Sequence, residues 1–374
     1  MKLLIISASA GNGHTRAAAA LEEAAREHYP ELEVKNVDIL QYVSAFYRKS
    51  YAGGYLQMTN RTPLLWGYFY KSMDFAKAAK RQARIIETYD AIQFKKFRAM
   101  VTEFAPDRVI STHFLPLQIF APYRRRGEIK WPFAATLTDF DAHVIWAQFT
   151  CDKFFVATDE VGAVMQGKGI EPDKLTTVGI PISTAFSKTY DRAKIRETLG
   201  LRDNPPTLLV MGGGHGQGGL LDTVNTALSA APVQVLAVAG KNEKTRKNIE
   251  AVKVPDGRTL KVFGYVNNIH ELMAASDLVI SKSGGLTLAE CLAMGLPMLL
   301  PDPVPGQEER NCNYVMECGA ALYSHGAGSL KYKLKLLLED HALRARMAAA
   351  AKAHGKPNAA RDVINAVVAM SKTK

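Results

Sequence analysis

Residues 3–21 read LLIISASAGNGHTRAAAAL, and the order of residue types in them sets the architecture. Four aliphatic residues, Leu3 to Ile6, form a short apolar run, Gly11-Asn12-Gly13-His14 breaks it, and an alanine-rich helical pattern follows at once. Strand, glycine turn and helix make the opening unit of a layered α/β domain. A helix that begins here presents unpaired backbone N–H groups and the positive end of its dipole, a natural place for anionic chemistry. His14 stands at that mouth with an imidazole whose ordinary pKa, about 6.5, suits proton transfer near neutrality. A tight turn that His14 merely decorates explains the same residues equally well. The stretch therefore settles the architecture and only poses the chemistry.

The pattern repeats along the chain. LLIIS (3–7), EVKNVD (33–38), DRVIST (107–112), FAATLT (133–138), KFFVAT (153–158) and LTTVG (175–179) read as strands. A polar helical passage, DRAKIRETLGLRDNPP, ends at Pro205-Pro206, and a second series begins: TLLVMGGG (207–214), QVLAVAG (234–240), KVFG (261–264), DLVISKSGG (277–285) and PMLLP (297–301). The expected fold is α/β, two Rossmann-like domains with parallel sheets facing an interdomain cleft, over residues 1–185 and 200–374. Open sheets of this kind bind ligands at the strand ends. The C-terminal PNAARDVINAVVAM is an amphipathic helix, free to pack back on the first domain.

Composition narrows the class. With 374 residues, two domains are expected, and 47% hydrophobic against 22% charged residues excludes global disorder. Cys151, Cys291, Cys312 and Cys318 show no CxxC spacing, which points to reduced thiols in a cytoplasmic protein. The N-terminus does not read as a signal peptide, and no apolar run approaches the roughly 18–20 residues that span a bilayer. The net charge of +11 is concentrated, with 16 Lys/Arg against 6 Asp/Glu in residues 41–130. Within it, residues 41–75 carry ten of the chain's 32 aromatics. Tyr and Trp interleaved with Lys and Arg suit the headgroup region of an anionic membrane. No nucleic-acid motif of recognisable form accompanies them, so the expected partner is an anionic membrane surface and not nucleic acid. A buried aromatic helical subdomain with a basic face has the same composition.

Two more glycine turns carry chemistry. Gly212-Gly213-Gly214-His215-Gly216-Gln217-Gly218-Gly219 follows a buried strand, and backbone N–H groups in such a loop approach a diphosphate closely. It is neither a GxGxxG dinucleotide loop nor a Walker loop, so NAD and ATP lose ground. Ser281-Lys282-Ser283-Gly284-Gly285 repeats strand, small-residue turn and helix. Glu290 lies about two turns into that helix, placed for two vicinal hydroxyls of a ribose, although a solvated helix glutamate looks the same. Gln307, Glu308 and Asn311 then cluster after a proline-rich loop, offering donors and acceptors for sugar hydroxyls. Together these features describe a nucleotide-sugar pocket.

GNGH, GGGHGQGG, SKSGGLTLAECLAMGLPMLLPDPVPGQEERN and the segment TLTDFDAHVIWAQFTCDKFFVATDE (136–160) resemble the monogalactosyldiacylglycerol synthase and processive diacylglycerol glucosyltransferase family. These are inverting GT-B glycosyltransferases of family 28, related to the lipid II-forming N-acetylglucosaminyltransferase. The resemblance spans nearly the whole chain. It implies a lipid acceptor on the N-terminal domain and a UDP-sugar on the C-terminal one. It places His14 as general base or acceptor-steering group, with Gly11 and Gly13 shaping the turn beneath it. Gly213, Gly214, His215 and Gly216 match the diphosphate loop, Phe263 to Val266 the uracil stretch, and Glu290 the ribose carboxylate. Gln307, Glu308 and Asn311 match the sugar contacts. The lipid II enzymes have a second glutamine where this chain has Glu308, and an ionised glutamate accepts hydrogen bonds without donating them.

The expected reaction is a single in-line displacement at the anomeric carbon of an α-linked UDP-sugar, moving a hexose to diacylglycerol or a glycosyl-diacylglycerol and giving a β-glycoside. His14 is the expected base, with Asp139 or His143 as second candidate. Loop N–H groups at 212–216 and at 281–285, Ser283, Gly284 and Gly285 among them, stabilise the leaving UDP, and no metal or other cofactor is expected. The one formal DxD match, Asp139-Phe140-Asp141, sits in the acceptor half. The expected location is the cytoplasmic face of the cell membrane, peripherally bound. Two other readings use the same pocket: a UDP-N-acetylglucosamine 2-epimerase, which needs no lipid, and a UDP-sugar sensor that does not turn over.

Overall fold

The computed structural model describes residues 1–9, 11–48, 93–212 and 219–371. The basic aromatic stretch at 41–75 falls largely outside them, as do Gly213, Gly214, His215 and Gly216.

The chain divides into two compact units. The first comprises Met1–Thr184, Val304–Gln307 and Asn358–Lys374, and the second Ala185–Pro303 and Glu308–Pro357. In the first unit the elements run β1 (Lys2–Ser7), α1 (Asn12–His28), β2 (Glu33–Asp38), α2 (Lys95–Phe104), β3 (Arg108–Ser111), α3 (Phe114–Arg125), β4 (Phe133–Thr136), β5 (Lys153–Val156), α4 (Asp159–Gly167) and β6 (Leu175–Thr177). In the second follow α5 (Arg192–Thr198), β7 (Thr207–Met211), α6 (Leu220–Ala230), β8 (Gln234–Val238), α7 (Glu243–Glu250), β9 (Thr259–Phe263), α8 (Ile269–Ala275), β10 (Leu278–Ser281), α9 (Gly285–Met294), β11 (Met298–Pro301), α10 (Gln307–Glu317, of which Gln307 itself counts with the first unit), β12 (Ala321–Ser324), α11 (Gly326–Glu339) and α12 (His341–His354). The last helix, α13 (Ala359–Ala369), belongs to the first unit.

Each unit holds a six-stranded parallel sheet, in the order β2-β1-β3-β4-β5-β6 and β12-β11-β10-β7-β8-β9. Strand β1 is central in the first, pairing Leu3 with Val34 on one side and Arg108 on the other. Leu3, Leu4, Ile5 and Ile6 are fully buried, as a strand covered on both faces requires. The small residues Ala17, Ala18, Ala24 and Ala25 let α1 sit close to its neighbours. Val363, Ile364 and Val367 of α13 complete that core. In the second unit Leu208, Val210, Val235, Leu278 and Leu299 pack under α6 and α11 through Val224, Leu330 and Leu334. Several strands stop short of the apolar runs that mark them: β3 and β4 end at Ser111 and Thr136, which leaves Thr112, His113, Thr138 and Asp139 in the loops beyond. Strand β12 carries no clear signal in sequence, because Leu322 and Tyr323 are only half-buried at the sheet edge.

The four cysteines are free thiols, and burial pushes Cys151 up to about 12. Among the described residues no helix is long and apolar enough to cross a membrane.

Candidate active site

In the first unit the site forms where three adjacent parallel strands end. The loop after β1 brings His14, the loop after β3 brings Thr112 and His113, and the loop after β4 brings Thr138 and Asp139. His14 lies in the first turn of α1, whose N-cap is Gly11 with no side chain capping it and no acidic residue in the first turn. Gly11 is extended at φ −163°, a conformation open to any residue, and apart from chain neighbours and the helix's own backbone no atom of the described residues lies within 4 Å of a Cβ built at Gly11 or Gly13. Packing among the described residues does not by itself demand a glycine at either position.

His14 Nδ1 lies 2.6 Å from the Thr112 carbonyl oxygen and 3.1 Å from Thr138 Oγ1. A carbonyl only accepts, so the proton resides on Nδ1 and the lone pair on Nε2. Thr112 also donates its hydroxyl to the His14 carbonyl oxygen at 2.9 Å, locking the helix start to the end of β3. The His113 ring meets that of His14 edge to face, centroids 4.6 Å apart. His113 in turn caps α3, its Nδ1 accepting the Leu115 N–H at 3.0 Å. Burial lowers His14 below its ordinary value, against the opposing pull of the Asp139 charge and the Thr112 carbonyl. Burial first, and then the His14 charge, hold His113 well below its ordinary value. Both shifts favour the neutral ring.

Asp139 is nearly buried and accepts a hydrogen bond from the Gln307 side-chain amide, within the same unit. Its charge acts on His14 and opposes the effect of burial there. His143 is also buried, but its Nδ1 accepts the Ile145 N–H at 3.2 Å, capping a short turn of 3-10 helix. The sequence gives Thr112 and His113 no role of their own, and Thr138 enters it only within the segment 136–160 that carries the resemblance. The available signal was the polar end of each apolar strand run, DRVIST and FAATLT, which is where a parallel sheet places its functional loops.

In the second unit β10 runs into Lys282-Ser283-Gly284 and then α9, which again starts at a glycine with no side chain capping it. A Cβ at Gly284 would meet nothing within 4 Å among the described residues. Ser283 Oγ donates to the Glu308 carbonyl at 2.7 Å, and Asn311 Nδ2 to the Ser283 carbonyl at 3.3 Å, so α10 braces this loop. Lys282 Nζ pairs with Glu308 Oε1 at 2.6 Å, giving the glutamate a counter-charge. Glu290 is buried within α9, not solvated, at 2% exposure. Phe263 ends β9 half-buried, its carbonyl accepting the Ala239 N–H at 2.9 Å, and Val266 follows in the next loop. Gly212 closes β7, and the diphosphate loop beyond it lies outside the described residues. No group of three or more His, Cys, Asp or Glu that could hold a metal ion occurs among the described residues.

Residues 14–182 match the monogalactosyldiacylglycerol (MGDG) synthase family, and residues 207–365 the glycosyltransferase family 28 C-terminal domain. A processive diacylglycerol beta-glucosyltransferase of Bacillus cereus (strain AH820) is 31% identical over 379 aligned positions, covering 98% of this chain and 93% of its own. The chain belongs to the monogalactosyldiacylglycerol synthase and processive diacylglycerol glucosyltransferase family. Solved structures agree on the fold. MurG of Acinetobacter baumannii is similar with a TM-score of 0.60 at 17% identity, covering 99% of both chains. The UDP-GlcNAc 2-epimerase of Neisseria meningitidis, bound to UDP-GlcNAc, is similar at 0.61 and 14% identity, covering 98% of this chain and all of that one. At such identities the likeness speaks for the GT-B-type fold alone. The family membership makes this protein a glycosyltransferase.

Proposed function

We propose that this glycosyltransferase moves a hexose from a UDP-sugar to the primary hydroxyl of diacylglycerol or of a glycosyl-diacylglycerol, with inversion, making a membrane glycolipid. The observation that carries the reading is the tautomer of His14. With its proton committed to Thr112 on the Nδ1 side, the imidazole offers Nε2 as a base, its neutral form favoured. The acceptor oxygen bonds to the anomeric carbon as its proton passes to Nε2, and the bond from that carbon to the UDP oxygen breaks. Asp139 steadies the imidazolium that results. The uncapped start of α9 at Gly284 and Gly285, with Ser283, supports stabilisation of the leaving diphosphate by backbone N–H groups without a metal. Glu290 takes the ribose hydroxyls, and Gln307 and Glu308 the sugar, with Asn311 bracing the loop they border.

The curated Bacillus cereus relative, a diacylglycerol glucosyltransferase by name, supports glucose as donor sugar and diacylglycerol as acceptor. The excess of Lys and Arg between residues 41 and 130 supports peripheral binding to an anionic membrane surface on its cytoplasmic face. The deciding experiment is UDP release from a panel of UDP-sugars, with and without diacylglycerol in anionic vesicles, lipid products being read by mass. Lipid-dependent release with one hexose mass added is the expected result. Isomerisation without lipid would move the protein to the epimerases, and binding without turnover to the sensors.

A further inference from the structure

We propose that Thr138 is a positioning residue for the proton transfer: its hydroxyl oxygen is a second acceptor for the Nδ1 proton of His14 and holds the ring with Nε2 turned to the acceptor hydroxyl. This rests on the reading of His14 as base. The geometry is specific. Thr138 is 4% exposed in the loop after β4, and its Oγ1 stands 3.1 Å from the same nitrogen that lies 2.6 Å from the Thr112 carbonyl. If Nδ1 carried a lone pair and Thr138 donated to it, that lone pair would face the Thr112 carbonyl oxygen at 2.6 Å, which is repulsive. The proton is therefore on nitrogen, and Thr138 accepts. One acceptor holds an N–H along a single line. A second on the same proton restrains the swing of the ring, and the His113 ring, its centroid 4.6 Å from that of His14, closes another side.

The consequence appears when Nε2 takes a proton. Positive charge spreads to Nδ1–H, and both acceptors bind it more strongly than in the neutral ring. Thr138 thus favours the charged form and raises the basicity of His14, as the Asp139 charge does and against the burial they share. Among the described residues, the titratable groups acting on or touching His14 are Asp139, from the same loop as Thr138, and His113, from the loop after β3. A threonine that only filled space would have no effect on this balance.

The test is the titration of the His14 imidazole by 15N NMR in the full-length, ligand-free protein, which needs neither donor nor acceptor lipid. Thr138→Val keeps the shape and removes the acceptor. Its His14 midpoint is expected to fall by about half a pH unit. The plateau turnover should fall about tenfold at unchanged KM for the UDP-sugar, and the acid limb should move down with the midpoint. Thr138→Ser should restore all three. Should the valine variant not fold, Thr138→Ala serves in its place, with the same expectation. A midpoint, tautomer and pH profile that match wild type in a folded variant, or a loss confined to melting temperature, would overturn the proposal. His14→Ala separates the two claims. If its turnover survives, the base reading falls, while the NMR titration still decides whether Thr138 holds the ring. If turnover is lost and the Thr138 variants titrate as wild type, Thr138 alone is wrong.

Discussion

The Nδ1 of His14 donates to the carbonyl oxygen of Thr112, 2.6 Å away and 98 residues along the chain, and this bond makes Nε2 the basic nitrogen. A backbone acceptor cannot be lost by side-chain substitution, so the tautomer is built into the end of β3. The same residue returns its hydroxyl to the His14 backbone, so ring and helix start are held together. His14→Ala should then reduce turnover by about 10² to 10⁴-fold. UDP release against an unchanged melting temperature and circular dichroism spectrum would show it, and near wild-type turnover would refute the assignment.

Acid should act on both stability and rate. His14 and His113 are held below their ordinary values, His113 well below, so the unfolded chain binds more protons than the native one as pH falls under about 6.5. The stability they leave intact above that pH is lost progressively as pH falls toward their native values. Denaturant midpoints between pH 7.5 and 5 should fall, and His113→Asn, which keeps an acceptor for the Leu115 N–H, should flatten the fall. The acid limb of kcat/KM should lie below 6.5. A limb above 7 would mean that another group is the base.

Glu290 is buried at 2% exposure in α9, and burial followed by its charge pushes the neighbouring Cys291 thiol up. Replacement by glutamine keeps the shape and removes the charge. Glu290→Gln should weaken UDP binding by about tenfold or more, the scale of a hydrogen bond to a charged group. Titration calorimetry with UDP reads this directly, and an unchanged Kd would leave the carboxylate with a purely structural task.

Turnover is expected to persist in excess chelator. The donor groups at the start of α9 are backbone N–H, Ser283 and Lys282, none of which is an oxygen-rich cage for a hard cation. Activity lost in EDTA and restored by magnesium would contradict this.

Gly355, between α12 and α13, should not tolerate a side chain. A Cβ there would lie 2.5 Å from the Leu292 carbonyl oxygen and 2.9 Å from Ala293 Cα, both backbone atoms of α9 that cannot turn aside. Gly355→Ala should destabilise by about 1–3 kcal/mol. A melting curve superimposable on wild type would show that the two segments can separate without cost.

Much of this was legible in one dimension because the signals are local. A run such as Leu3 to Ile6 followed by Gly11-Asn12-Gly13 declares strand and turn through side-chain and backbone preferences that act over a few residues. The same holds for Leu278 to Ser281 and the glycines after it. Strand β12 was not legible, since an edge strand with half-buried Leu322 and Tyr323 lacks the continuous apolar pattern of a central one. His14, Asp139, Glu290 and Gln307 stand out by type and position. Thr112 and Thr138 do not, because a threonine at a strand end is ordinary until its neighbour across the sheet is known.

The two α/β series, the glycine turns, the histidine at the first of them and the family can all be read along the chain. The setting of that histidine comes from the folding of distant segments around it. Parallel pairing sets the ends of β1, β3 and β4 side by side, and so brings residues 98 and 124 positions from His14 to the same ring nitrogen. A proton's place on an imidazole depends on which acceptor lies within 3 Å, and no linear pattern records that distance.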